Sequence, residues 1–295
     1  MITITVNEIS EPYWIYKQKA TMIHQWKYYN RALIPLTPPH ESPNMSNFYE
    51  YFNKRNILFA RYTTDYDLNY ETEWWYCIKE NSFDIDLIKS KRRYEIIKGC
   101  KNFYCEINKE FTNYADDLYK IACEAFSEYP ENYRPEINKD SFFTYLKQCE
   151  TDLSIDFILC KNKDEHICGY AILEKNKNCV NLQVVKTLPS CQKLGINAAI
   201  VKFILDTYLP EYYICDGERP LRHRTNYQEY LIKYFQFRKA YCILHIHYKT
   251  WLKIIIFIIF PLRSLLTRLS RIYSNKILYN IISILEQERI RRTFI

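Results

Sequence analysis

Glycine is nearly absent from the chain, which has four in 295 residues, where about 7% is usual. Each glycine that remains is therefore expected to be structurally required. Cysteine is plentiful at eleven, but no two form a C-x-x-C pair, and most lie inside apolar segments. They read as small buried apolar residues, with no structural metal expected. The opening MITITVNEISEPYW lacks a basic segment followed by an apolar stretch. No signal peptide is evident, and a reducing, cytoplasmic compartment is expected. Long hydrophobic runs are missing too: the apolar run after Lys253 is nine residues, short of the ~20 that span a bilayer. The net charge of +7 is uneven, because residues 251–295 carry eight basic residues against two acidic ones. The rest of the chain is close to neutral, which argues against DNA binding.

What is present describes a folded chain, 48% hydrophobic and 17% aromatic, with 28 tyrosines. Its length fits two modest domains or one with large additions. Residues 1–99 read as an N-terminal module of short apolar runs (ITITV, RALIPL, NILFARY, EWWYCI) and a helix SNFYEYFNKR. FDIDLIKSKRRYEIIKG predicts a basic amphipathic helix, capped by an aspartate and ended by Gly99. Residues 100–250 predict strand, helix, helix, an antiparallel meander (LSIDFILCKN, HICGYAILEK, CVNLQVVKTL), helix, strand, helix, strand. That order implies an α+β or mixed α/β layered fold, and residues 251–295 form a helical tail.

One glycine stands in SCQKLGIN, between an apolar strand and the apolar helix INAAIVKFILDTYL. A helix N-terminus presents unpaired amides and a positive dipole, which favours an anion such as phosphate. Gly195 leaves room for close approach, and Gln192 and Lys193 can add donors; simple packing of a strand–helix junction explains the same glycine.

Gln192, Lys193, Leu194, Gly195, Ile196 and Asn197 resemble the signature of the GNAT superfamily of acyl-CoA N-acyltransferases: Gln or Arg, two residues, Gly, one residue, then Gly or Ala. Asn197 departs from the last position. The resemblance implies a GNAT-like fold, with acetyl-CoA or another acyl-CoA as cosubstrate and its pyrophosphate on residues 192–197. It also implies that NLQVVKTL and YYICDG splay apart around the pantetheine. ETEWWYCIKENSFDIDLIKSKRRYEIIKGCKNF is similar to the strand and basic helix of Fem-type aminoacyl transferases, built from two GNAT-like halves. That resemblance implies a tandem arrangement and a tRNA-linked donor as the alternative.

N-acyl transfer needs a group to take a proton from the amine and one to protonate the leaving thiolate. DGER offers Asp216 and Glu218, of which Glu218 is preferred as base, and Tyr230 in TNYQEYLIKYF is the candidate proton donor. A solvated turn carboxylate and a packing tyrosine are the plain alternatives. His223 in LRHRTN is a further candidate base, and His245 and His247 alternate on one strand face. The acceptor implied is a small amine, such as an amino sugar or amino acid of a cell-surface polymer pathway. A non-catalytic GNAT-shaped scaffold remains an alternative.

Beyond Pro261, Leu262, Leu265, Leu266, Leu269 and Ile272 form a helical apolar stripe, with Arg263, Arg268 and Arg271 on other faces. This suits an interfacial helix on the anionic inner face of a membrane, or a helix packed on the body or on a second subunit.

Overall fold

The computed structural model of the protein describes residues 26–29, 31–46, 48–53, 57–129, 134–135, 137–221, 226–273 and 275–294. The apolar run ITITV and the candidate base His223 lie outside them. The chain divides into two compact units. One takes the chain up to Tyr76, a segment from Glu218, and everything from Ala240 onward; the other takes Cys77–Gly217 and the stretch ending at Lys239. The unit boundaries thus differ from those read in the sequence at residues 99 and 250. The reason is strand pairing between distant segments in the first unit.

In that unit, β1 (Trp26–Tyr29), β2 (Ala32–Pro35), β3 (Phe59–Leu68) and β10 (Arg238–Tyr248) lie side by side in that order. β10 pairs antiparallel with β3, from Tyr248 opposite Phe59 to Tyr241 opposite Leu68. Trp26, Leu33, Ile57 and Ala60 close a core over the short helix α1 (Phe48–Phe52). β4 (Trp74–Lys79) carries the chain into the second unit.

The sequence expectation of a single helix from Asp84 to Gly99 is corrected. Asp84 caps only a 3-10 turn, Ile85–Leu87, and the helix proper, α2, runs Ser90–Asn102. Gly99 therefore sits inside the helix rather than after it. Its missing side chain serves a contact instead: a Cβ there would run into the backbone of Gly195 and lie 3.2 Å from the Ala199 nitrogen.

The second unit is mixed α/β. Its strands β5 (Phe103–Ile107), β6 (Ile155–Asn162), β7 (Ile167–Asn176), β8 (Cys179–Thr187) and β9 (Tyr213–Glu218) lie in the order β9-β8-β7-β6-β5. β5 to β8 are successively antiparallel, while β8 and β9 are parallel. The parallel pair needs a crossover, supplied by a short turn of helix, α5 (Pro189–Gln192), and by α6 (Ile196–Tyr208). On α3 (Ala115–Ser127), Leu118, Ile121, Ala122 and Phe126 recur at helical spacing and are buried where the helix packs on β7 and β8. α4 (Lys139–Thr151) packs beside it, its N-terminus capped by the Asn138 side chain. The central strands are buried: Phe157 stacks on Phe111 with centroids 4.0 Å apart and on Tyr170 at 5.4 Å. Asp156, buried on β6, accepts bonds from Lys109 (2.6 Å), Lys175 (2.9 Å) and the Tyr208 hydroxyl (2.8 Å). Burial pushes its pKa up, but these donors outweigh burial and hold the carboxyl below its ordinary range.

The tail is three helices, α8 (Thr250–Ile259), α9 (Arg263–Ile272) and α10 (Lys276–Arg291). α10 supplies core residues Leu285 and Ile290 to the first unit. Its buried Glu288 is held by Arg291 and Arg292, each at 2.8 Å, and Leu285 and Ile290 beside it are fully buried. All eleven cysteines are free thiols, seven of them buried.

Candidate active site

The geometry begins where β8 and β9 part. Their parallel pairing covers only Cys179–Asn181 against Tyr213–Cys215. β8 runs on to Thr187 and β9 to Glu218 without pairing each other. The splay implied for NLQVVKTL and YYICDG is present.

At the end of β8 the chain turns through α5 and enters α6. Gly195 is the N-cap residue, with φ +91°, a left-handed conformation that favours glycine. A Cβ at this position would also fall 2.8 Å from the Gly99 Cα. Both conformation and packing therefore demand glycine here. The turn's carbonyls are bonded from α2: Lys98 Nζ donates to the Lys193 oxygen (2.8 Å), and Asn102 Nδ2 donates to the Leu194 oxygen (3.1 Å). Its amide side is different. Ile196, Asn197 and Ala198 open the helix, where amides have no intrahelical acceptor, and Gln192, Lys193 and Leu194 are exposed. Asn197, the departure from the signature, accepts a bond from the Thr187 hydroxyl at 3.2 Å and ties the end of β8 to α6.

Asp216 follows the last residue of β9 that pairs with β8. Burial lifts its carboxyl to about 7, against a bond from the Gln228 side chain that lowers it. Gln228 also donates to the Asp216 backbone oxygen at 3.2 Å, from α7 (Tyr227–Phe235). Tyr227 lies within electrostatic reach of Asp216, and its buried hydroxyl has no hydrogen-bond partner among the described residues. Cys77 also feels the Asp216 charge.

The three candidate catalytic residues are distributed unevenly. Asp216 and Tyr230 fall in the second unit, and Glu218 falls in the first. Glu218 is ion-paired with Arg61 at 2.9 Å. Tyr230 stands among rings, 4.7 Å from Tyr234, 5.6 Å from Phe235 and 6.0 Å from Tyr227. Burial, followed by neighbouring Tyr234 and Glu95, raises its pKa strongly. The α2 cations are engaged as well: Arg92 donates to the Lys233 oxygen (2.6 Å) and Arg93 to the Asp86 oxygen (2.6 Å). In the first unit, His245 and His247 share one face of β10 and flank the Tyr62 ring. No group of three metal-binding side chains occurs among the described residues.

No family model matches the chain. No curated protein matches it in sequence. Solved structures do match in shape. L-PGS from Bacillus licheniformis aligns over 76% of this chain and 79% of its own, at 10% identity and TM-score 0.44. FemX aligns over 79% and 72%, at 8% identity and TM-score 0.45. A spermidine N-acetyltransferase SpeG mutant from Vibrio cholerae covers 39% of this chain and 68% of its own, at 14% identity and TM-score 0.29.

Two residues near the site escaped sequence reasoning. Lys186, in the part of β8 that has left β9, places its ammonium 3.9 Å from the Phe126 ring centroid and 5.3 Å from that of Tyr129. The Tyr129 hydroxyl is 3.5 Å away. The residue as a whole is half-buried, and burial around its ammonium lowers its pKa to about 8. Tyr227 was one tyrosine among several in its helix, and only its place beside Asp216 distinguishes it. No spacing in the sequence marks either one.

Proposed function

We propose that the second unit transfers an acyl group from acyl-CoA to an amine. The parting of β8 and β9 after three paired residues is the observation that carries this reading. It opens a parallel sheet beside a helix N-terminus and sets Asp216 at the point of divergence. In this scheme the amides of residues 196–198, with Gln192, Lys193, Leu194 and Gly195 around them, hold the pyrophosphate. Asp216 accepts the proton as the amine nitrogen bonds to the thioester carbonyl carbon. The carbon–sulfur bond then breaks, and a tyrosine hydroxyl, Tyr230 or Tyr227, protonates the leaving thiolate. A base with a pKa near neutrality is well matched to this work, and Asp216 at about 7 meets that condition. Glu218, in the first unit, is ion-paired with Arg61, and this reading gives proton transfer to Asp216.

The Fem-type reading, with aminoacyl-tRNA as donor, is favoured by the division of the chain into two compact units. The bond broken is then the ester carbon–oxygen bond of the charged tRNA. Thermal melts with coenzyme A and with charged tRNA separate the two, since a ligand that binds the folded state raises the melting temperature. Stabilisation by coenzyme A that is weakened in Lys193→Glu, a change at an exposed position of the turn, supports the first reading. Stabilisation by charged tRNA alone supports the second, and no shift with either sinks both.

A further inference from the structure

The helices α8 and α9 of the first unit leave one face without a partner among the described residues. α8 turns Leu252 and Ile256 into the core beside Leu285 of α10. Its other face does the opposite. Trp251, Ile254 and Ile258, at i, i+3 and i+7, are 54–64% exposed, and neighbouring Phe257 is 73% exposed. Leu262 and Leu265 continue the same spacing and are at least half exposed. Folded monomers rarely present so many large apolar side chains together, and such patches mark interaction surfaces.

The charge around this face indicates what covers it. From Tyr230 through Leu285 the chain contains no aspartate or glutamate. Lys253 and Arg268 are exposed, and Arg263 stands 5.2 Å from the Phe260 ring centroid. A second copy of the chain is a poor occupant, because a two-fold interface sets each patch against itself. Like cations would then meet with no carboxylate of these helices to offset them. A surface of anionic lipid offers both an apolar layer and fixed negative charge. No described helix is long and apolar enough to cross a membrane, so contact is along the plane of the surface. We propose that the exposed face of α8 and α9 docks on a bilayer containing anionic lipid, with the apolar side chains entering the headgroup–acyl boundary and the cations meeting lipid phosphates.

Co-sedimentation of the full chain with vesicles tests this, using phosphatidylcholine with and without phosphatidylglycerol. A few interfacial cations predict partitioning at least about tenfold stronger onto the anionic vesicles, weakening as salt rises. Phe257→Glu and Ile258→Glu should each reduce it severalfold while the melting temperature stays put, since both side chains are exposed. Lys253→Glu should shrink the preference for phosphatidylglycerol. Equal binding to both vesicle types, or none to either, overturns the proposal. So does a wild-type dimer in light scattering that Phe257→Glu converts to monomer, because the face then joins two copies. Binding is read without turnover, so its result is independent of the transferase reading.

Discussion

Gly99 and Gly195 meet backbone to backbone: a Cβ built on Gly195 would lie 2.8 Å from the Gly99 Cα and 3.1 Å from the Glu95 oxygen. Half of the chain's four glycines are thus spent on one crossing between α2 and the start of α6.

This contact reverses a familiar sign. Gly→Ala within an exposed helix ordinarily gains about 1 kcal/mol, whereas overpacking costs roughly 1–3 kcal/mol. Gly99→Ala is expected to lower the urea midpoint, and a neutral or stabilised variant refutes the contact. Gly217→Ala is the comparison. Gly217 has φ +85° with nothing within 4 Å of an added Cβ, so that change carries only a conformational cost of about 1–2 kcal/mol.

Asp216 makes stability depend on pH. Its folded-state pKa of about 7 lies above the unfolded value of about 3.9. The protonated group therefore contributes fully below pH ~4, and the contribution is lost as pH rises through about 7. Asp216→Asn is expected to flatten this fall, and at pH ~8 to be more stable than wild type by roughly 3–4 kcal/mol. Denaturant titrations at acid and alkaline pH measure it. Activity should move the other way, with kcat/KM reduced about 10²–10⁴-fold if the carboxylate is the base.

Lys186 carries the opposite linkage. Its folded value of about 8 is below the unfolded value of about 10.4, so its contribution is complete above pH ~10.4 and lost as pH falls through about 8. Replacing the enclosed ammonium by Lys186→Met is expected to stabilise the protein at pH ~7 by roughly 2–3 kcal/mol. The gain should vanish near pH ~10.4. Melts across that range decide it: destabilisation at neutral pH would mean the aromatic rings hold the cation more strongly than burial penalises it.

Asp156 is the buried charge with the most donors named around it. Asp156→Ala leaves Lys109, Lys175 and Tyr208 without their common acceptor, and loss of one partner from such a group costs about 3–5 kcal/mol. Asp156→Asn, which keeps an acceptor oxygen, is expected to cost less. Equal losses in chemical denaturation would argue that shape, and not the shared oxygen, is what matters at this position.

The second unit was the more legible part of the chain. Apolar periodicity sufficed for the meander and for INAAIVKFILDTYL, because each element buries a face set by its own repeat. The turn at Gly195 was legible for the same local reason. What stayed hidden depends on partners distant in sequence. Gly99, near the end of a basic helix, reads as a terminator until Gly195 is seen against it. Lys186 follows two valines in a strand, and nothing nearby announces that Phe126 and Tyr129 enclose it. Asp216 and Glu218 are separated only by left-handed Gly217, yet one is desolvated and the other faces Arg61. The preference for Glu218 read from DGER gives way to Asp216 in the proposal, because the sequence does not show which of the two is desolvated.

In the proposed transferase reading, the early divergence of β9 hands part of recognition to the main chain. Among the described residues, β8 has no strand on that edge beyond Asn181, and peptide donors and acceptors left there seek partners. An extended guest with amides of its own can supply them as an added strand does. Side-chain exchange leaves peptide groups unchanged. On that reading, residues 182–187 can drift and retune what is accepted on either side, while the spacing of amides along a guest's backbone stays the property that is read.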